Sequence, residues 1–147
     1  MTIQSMALIG TGVMGMGIAQ IAAQAGLEVR LFDAKAGAAE AGLAKLKATL
    51  EKLQAKGKFT EEVLNATLAR FKILNSIEEV VGVDLVVEAI IENLDIKQGL
   101  FKQLESIVSP ETILATNTSS LSVTAIASNL EHQGRMAGFH FFNPVPL

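Results

Sequence analysis

The sequence predicts an α/β fold, a doubly wound and mostly parallel sheet. Two observations carry that expectation. Short apolar, β-branched runs alternate with longer stretches of helical periodicity, as strands joined by crossover helices require. A glycine-rich turn, Gly10-Thr11-Gly12-Val13-Met14-Gly15, stands between the first run and the first helical pattern, and Asp33 closes the second run.

The elements follow in order. Strands are expected near Ser5–Ile9, Glu28–Phe32, Lys72–Leu74, Asp84–Ala89, Thr112–Ala115 and Met136–Phe139. Helices are expected near Met14–Ala25, Gly37–Lys56, Glu61–Ala69, Leu94–Ile107 and Val123–Ser128. Pro110 marks a helix-to-strand turn. Two helical patterns, broken at Gly57, lie between the second and third strands, so the fold carries a helical-pair insertion there. The 147 residues, half of them hydrophobic, suffice for one domain with a substantial core.

Each glycine of the turn has a mechanical task. Gly10 permits the sharp turn, Gly12 lets a pyrophosphate approach the backbone, and Gly15 lets the helix pack close to the strand. The amides of Gly12, Val13 and Met14 then open the helix toward the phosphates. Asp33 lies 23 residues beyond Gly10, near the spacing of about 20 residues expected for a ribose-binding acid. Its carboxylate is expected to accept both ribose hydroxyls of NAD and to repel the extra phosphate of NADP. Ala34 follows, where an arginine would welcome that phosphate. A strand before, an amphipathic helix after and the acid together specify a Rossmann-type dinucleotide site. Any one of them alone is a common turn.

Composition removes several classes. The formal charge of −3 offers no large basic surface for nucleic acid. The absence of cysteine excludes disulfides, thiolate catalysis and cysteine-ligated metals, and two histidines, His132 and His140, make a poor start for a metal site. The first 27 residues carry no charged side chain, but they lack the basic start of a signal peptide. The charged run Glu28-Val29-Arg30-Leu31-Phe32-Asp33 does not fit a membrane scheme either. A soluble, cytoplasmic protein without a membrane partner is the expectation.

The helical pattern over 37–56 carries Leu43, Leu46, Leu50 and Leu53 on one stripe. Lys45, Thr49, Lys52 and Lys56 form a second stripe, centred roughly 110° from the first at helical rotation. It reads either as a solvated basic face or as a docking surface for an anionic group such as the phosphates of a coenzyme.

Two later segments point to the reaction. Thr116-Asn117-Thr118-Ser119-Ser120-Leu121 follows one expected strand, and Gly138-Phe139-His140-Phe141-Phe142-Asn143-Pro144-Val145-Pro146 ends the next. Both fall outside the carboxyl ends of strands, where open α/β sheets place ligands. With Asp-Leu-Val-Val-Glu-Ala-Ile-Ile at 84–91, they resemble the L-3-hydroxyacyl-CoA dehydrogenase family across essentially the whole chain. The opening and the stretch 31–41 look like bacterial members acting on 3-hydroxyadipyl-CoA in phenylacetate breakdown.

The resemblance implies NAD-dependent oxidation of an L-3-hydroxyacyl-CoA to the 3-oxoacyl-CoA. It implies that His140 is the catalytic base, and an imidazole accepts and returns a proton near neutral pH. Ser119 matches a serine that bonds the substrate oxygen beside the nicotinamide and the coenzyme A substrate, and Asn143 matches an asparagine at the same site. Asn117, Glu92 and Lys97 match further cofactor contacts. Judged without the resemblance, Glu92 and Lys97 look like an ordinary exposed helix start. Thr49 and Lys56 match the residues touching the coenzyme A part, with threonine where serine is usual. His132, beside Glu131, reads as surface.

The family pairs its histidine with a glutamate downstream and continues into a helical domain that forms a homodimer. The sequence stops at Leu147, before both, so residues 1–147 are expected to bind NAD and catalyse poorly. Two alternatives stay open: another Rossmann dehydrogenase acting on a β-hydroxyacid or sugar acid, and a non-catalytic nucleotide-binding domain. A small free acid would not need the basic stripe over 45–56.

Overall fold

The structure is a computed structural model describing residues 2–117 and 120–138, without the side chains of 120–122, 133 and 137. The strands are β1 (Ser5–Ile9), β2 (Glu28–Phe32), β3 (Phe71–Ile73), β4 (Leu85–Glu88), β5 (Ile113–Thr116) and β6 (Met136–Gly138). The helices are α1 (Val13–Gln24), α2 (Ala38–Ala55), α3 (Glu61–Leu68), α4 (Leu94–Ile107) and α5 (Ser120–Ala127). The sheet runs β3-β2-β1-β4-β5-β6 with every pairing parallel. That is the doubly wound order, and it reverses between β1 and β4.

The central strands β1, β4 and β5 are buried on both faces, so period-2 alternation divides their side chains between two cores. Met6 and Leu8 of β1 join Leu85 and Val87 of β4 beneath α1 and α2. Ala7 and Ile9 join Val86, Leu114, Phe101 of α4 and Ile126 of α5 on the other face. The same alternation carries Glu88 and Thr116, paired directly across β4 and β5, onto the α4 face.

The helical pair after β2 is present. Leu46 and Leu50 are the buried members of the α2 leucine stripe, with Leu43 and Leu53 packed at its margin. Gly57 breaks the pair at φ +80°, a left-handed conformation that suits glycine. Pro110 lies in the turn between α4 and β5, as expected.

Most element ends differ from the sequence expectation by a residue, and three departures have a local cause. β3 begins one residue earlier, and the Leu74 N–H still donates to the Leu31 carbonyl at 2.8 Å, just past its last strand residue. A 3₁₀ helix over Ile77–Val80 adds an element the periodicity does not predict, although Ser76 and Glu79 form its reciprocal capping box. α5 starts three residues before the expected Val123, because Ser120 to Ser122 carry only weak helical signals.

Candidate functional site

The crevice where strand order reverses lies above Ile9 of β1 and Glu88 of β4, which are register partners. The Gly10 amide donates to the Phe32 carbonyl at 2.9 Å, and the residue turns at φ +100°. A Cβ there would stand 2.6 Å from the Ala89 carbonyl oxygen. At Gly15 a Cβ would stand 2.0 Å from the Gly10 carbonyl oxygen, so the helix and the turn touch backbone to backbone. Gly12 is the opposite case, since a Cβ there would meet nothing within 4 Å. It would fill the space a pyrophosphate needs. Gly10 and Gly15 thus stand at close backbone approaches, and Gly12 at an open one.

Gly12 caps α1 in an extended conformation, with no side-chain hydrogen bond and no acid in the first turn. The first intrahelical bond runs from the Met16 N–H to the Gly12 carbonyl at 2.9 Å. The amides of Val13, Met14 and Gly15 thus precede the helical ladder and point outward with the positive end of the helix dipole. Gly12 and Val13 are exposed, and Val13 is 70% accessible despite its apolar side chain. This donor set fits a dinucleotide pyrophosphate.

Asp33 braces the turn from the end of β2. Its Oδ2 accepts from the Thr11 N–H at 2.8 Å and the Thr11 hydroxyl at 2.9 Å, and its Oδ1 accepts from the Lys35 N–H at 2.9 Å. Partial burial pulls its pKa upward. The bonds from the Thr11 and Lys35 backbones, the Thr11 hydroxyl and the Lys35 charge outweigh that and leave it below the ordinary 3.8. A carboxylate has about four acceptor positions, and three are in use. The turn thus takes two positions on Oδ2 and one on Oδ1, and leaves Oδ1 an acceptor position open. Lys35, which carries no motif signal in the sequence, is the cation beside this acid.

A groove of about 690 Å³ runs from this turn between α1 and α2. Thr11, Gly12 and Val13 stand at one end, and Lys35, Lys45 and Thr49 line it with Leu46 and Leu53. Lys45, Thr49, Lys52 and Lys56 are all exposed. The Thr49 hydroxyl donates to the Lys45 carbonyl at 3.1 Å, a back-bond that leaves its oxygen able to accept. Lys52 and Lys56 continue the stripe beyond the groove lining.

Beyond β4 the structure corrects one expectation. Lys97 does not belong to an exposed helix start: it is 1% accessible, with its Nζ 3.2 Å from Glu88 Oε1 and 2.7 Å from Glu92 Oε1. Glu92 is exposed as expected. Sequence reasoning missed Glu88 altogether. The signal was a carboxylate inside an apolar strand run with a lysine nine positions on. Asn117 stands at the end of β5, its N–H donating to the Glu88 carbonyl at 3.1 Å. His132 is exposed, its backbone amide held by Glu105. Ser119, His140 and Asn143 lie outside the described residues, as do Thr118 of the first segment that points to the reaction and all of the second past Gly138.

Fold, turn and acid together define a dinucleotide-binding domain of the doubly wound class. Residues 5–147 match the family model described as 3-hydroxyacyl-CoA dehydrogenase, NAD binding domain, and the chain belongs to that family. It is 46% identical over its full length to a probable 3-hydroxybutyryl-CoA dehydrogenase of Bacillus subtilis, spanning 51% of that protein. It is 43% identical over 145 residues to the 3-hydroxyadipyl-CoA dehydrogenase of Escherichia coli, covering 99% of this chain and 30% of that one. A crystal structure of 3-hydroxybutyryl-CoA dehydrogenase from Escherichia coli superposes with a TM-score of 0.96 at 42% identity, over 100% of this chain and 31% of that one. The chain thus spans about half or less of the relatives it matches.

Proposed function

We propose that this domain binds NAD for the oxidation of L-3-hydroxyacyl-CoA thioesters to 3-oxoacyl-CoA. The observation that carries the reading is the uncapped α1 N-terminus with glycine clearance at Gly12, in a chain of the 3-hydroxyacyl-CoA dehydrogenase family. Gly10, Gly12 and Gly15 shape the pyrophosphate seat, and the Val13 and Met14 amides donate into it. Asp33 takes a ribose hydroxyl. Glu92, Lys97 and Asn117 supply further contacts beyond β4 and β5. NAD supplies the hydride acceptor. His140 removes the hydroxyl proton of the substrate, Ser119 holds the substrate oxygen, and Asn143 completes the same site.

Thr49 and Lys56 receive the coenzyme A part in this reading. The groove supports it, because Lys45 and Thr49 stand on one surface with the glycine turn. The relatives' names span 3-hydroxybutyryl and 3-hydroxyadipyl thioesters, so the substrate is assigned as a class, with the adipyl thioester of phenylacetate breakdown as one member. Homodimerisation belongs in this reading to the helical domain of the family rather than to residues 1–147. The bacterial relatives support a cytoplasmic location. No helix among the described residues is long and apolar enough to cross a membrane.

The test is reduction of acetoacetyl-CoA followed by loss of NADH absorbance. A positioned base contributes about 10²–10⁴-fold, so His140→Gln in the complete enzyme lowers turnover by that order and leaves NADH affinity nearly intact. Equal affinity of the unmutated domain for NADH and NADPH would remove the assignment of Asp33.

A further inference from the structure

Glu88 is a fully buried carboxylate, 0% accessible, at the carboxyl end of β4. It cannot touch a ligand itself, and a hydrophobic residue would fill a strand position there without the cost of withdrawing charge from water. Its oxygens are engaged by three different elements of the crevice. The Thr116 hydroxyl of β5 donates to Oε1 in a short hydrogen bond. The Lys97 ammonium of α4 lies 3.2 Å from the same oxygen. The Ile90 N–H donates to Oε2 at 2.5 Å, fixing the loop that presents Glu92 and Asn93.

Lys97 is thus held from two sides. An ammonium has three donors. The Lys97 Nζ forms an ion pair inward with the buried Glu88 and donates outward to Glu92, whose side chain is 69% accessible. The inner partner anchors the charge, while the outer one stands where solvent and ligand arrive. Without Glu88 the ammonium would keep, among the described residues, only the exposed carboxylate and be drawn toward it.

We propose that Glu88 is a positioning residue for nucleotide binding: it holds the Lys97 ammonium and the 90–93 loop in the geometry the nucleotide meets. The proposal rests on Lys97 being a cofactor contact, and the experiment separates the two.

The experiment is a double-mutant cycle on the 147-residue chain with Glu88→Gln, Lys97→Met and the pair, read by NADH fluorescence titration and by thermal unfolding. Removing one charge-assisted hydrogen bond to a ligand weakens its binding by about tenfold. Lys97→Met and Glu88→Gln are each expected to do so, and the pair to bind within about twofold of Lys97→Met alone. A carboxylate that serves only the fold would lower affinity by the same factor in both backgrounds, and such multiplied losses overturn the proposal. So does native affinity in Glu88→Gln beside a weakened Lys97→Met. Native affinity in Lys97→Met instead removes the cofactor contact on which the proposal rests. Should Glu88→Gln fail to fold, Glu88→Asp keeps the charge and shortens its reach. It takes the same place in the cycle, where weakened binding supports positioning and native binding overturns it.

Discussion

Helices α1 and α4 both begin at the carboxyl edge of the sheet, on opposite sides of the point where strand order reverses, yet their first turns are built in opposite ways. α4 satisfies itself: the Asn93 side chain accepts from the Ile96 N–H at 3.0 Å, and Asp95 sits in its first turn. α1 opens on Gly12, without a side-chain cap and without a carboxylate. A capped end has already spent its dipole on its own side chains, whereas an uncapped one presents free amides to an incoming anion. The anion seat we propose for this domain is therefore defined by what its sequence withholds, together with the clearance that glycine provides. The exposed α3 start, capped by Thr60, belongs with α4 in this comparison.

The first way to break the contrast is to remove the close approach that aims α1. Replacing glycine with alanine inside a helix ordinarily stabilises it by about 0.5–1 kcal/mol. At position 15 the sign reverses, because the new Cβ would stand 2.0 Å from a backbone oxygen that has no side chain to swing aside. Gly15→Ala is expected to cost about 3 kcal/mol, the upper part of the overpacking range, and to abolish NADH binding. Chemical denaturation and NADH titration together check this. A more stable Gly15→Ala chain would mean that the turn and helix are not packed as described.

The second concerns Asp33, which closes the turn that α1 leaves open. Its pKa is lowered in the folded state, so the unfolded chain binds a proton more readily. Its contribution is present above its ordinary value near 3.8 and is lost as pH falls through the lower folded value. Hydrogen bonds to charged groups are worth about 1.5–3 kcal/mol, and partial exposure places Asp33 at the low end. Asp33→Asn should then cost about 1.5 kcal/mol near pH 7, with the gap to the unmutated chain narrowing as pH falls below about 4. A gap that stayed constant as the acid titrates would show that the carboxylate charge is not what braces Thr11.

How much of this was legible in the sequence follows from the range of the forces involved. The glycine turn, Asp33 and the leucine stripe of α2 are local or periodic signals, and sequence reasoning locates each of them. The Ser76–Glu79 capping box is equally local, but no apolar periodicity follows it to mark a helix. Glu88 and Lys97 could not be interpreted as a pair, because their meeting depends on strand alternation turning Glu88 toward α4 and on α4 settling over that face. Thr116 reaches the cluster only through the β4–β5 register. The claim on Asp33 by Thr11 and Lys35, which leaves it room for about one more partner, is likewise a property of the folded turn. No spacing rule reports it.

The smallest effect on stability is also the sharpest test of the contrast between helix starts. Gly12 already has the extended backbone of a cap residue, φ −73° and ψ −171°, with open space beyond its Cα. Serine fits that conformation and would supply the missing side-chain acceptor, while glycine lies only a few tenths of a kcal/mol behind serine as a cap. Gly12→Ser is thus expected to raise stability by about that amount. The same hydroxymethyl group would occupy the pyrophosphate approach and engage an amide the ligand needs, weakening NADH by about tenfold or more. Thr60→Ala at the start of α3 should do the reverse, costing about 1 kcal/mol of stability with NADH affinity unchanged. Thermal unfolding and fluorescence titration of the two variants form a crossed pair. If Gly12→Ser bound NADH as tightly as the unmutated chain, the open end of α1 would not be the anion seat, and the difference between the two helices would be one of stability alone.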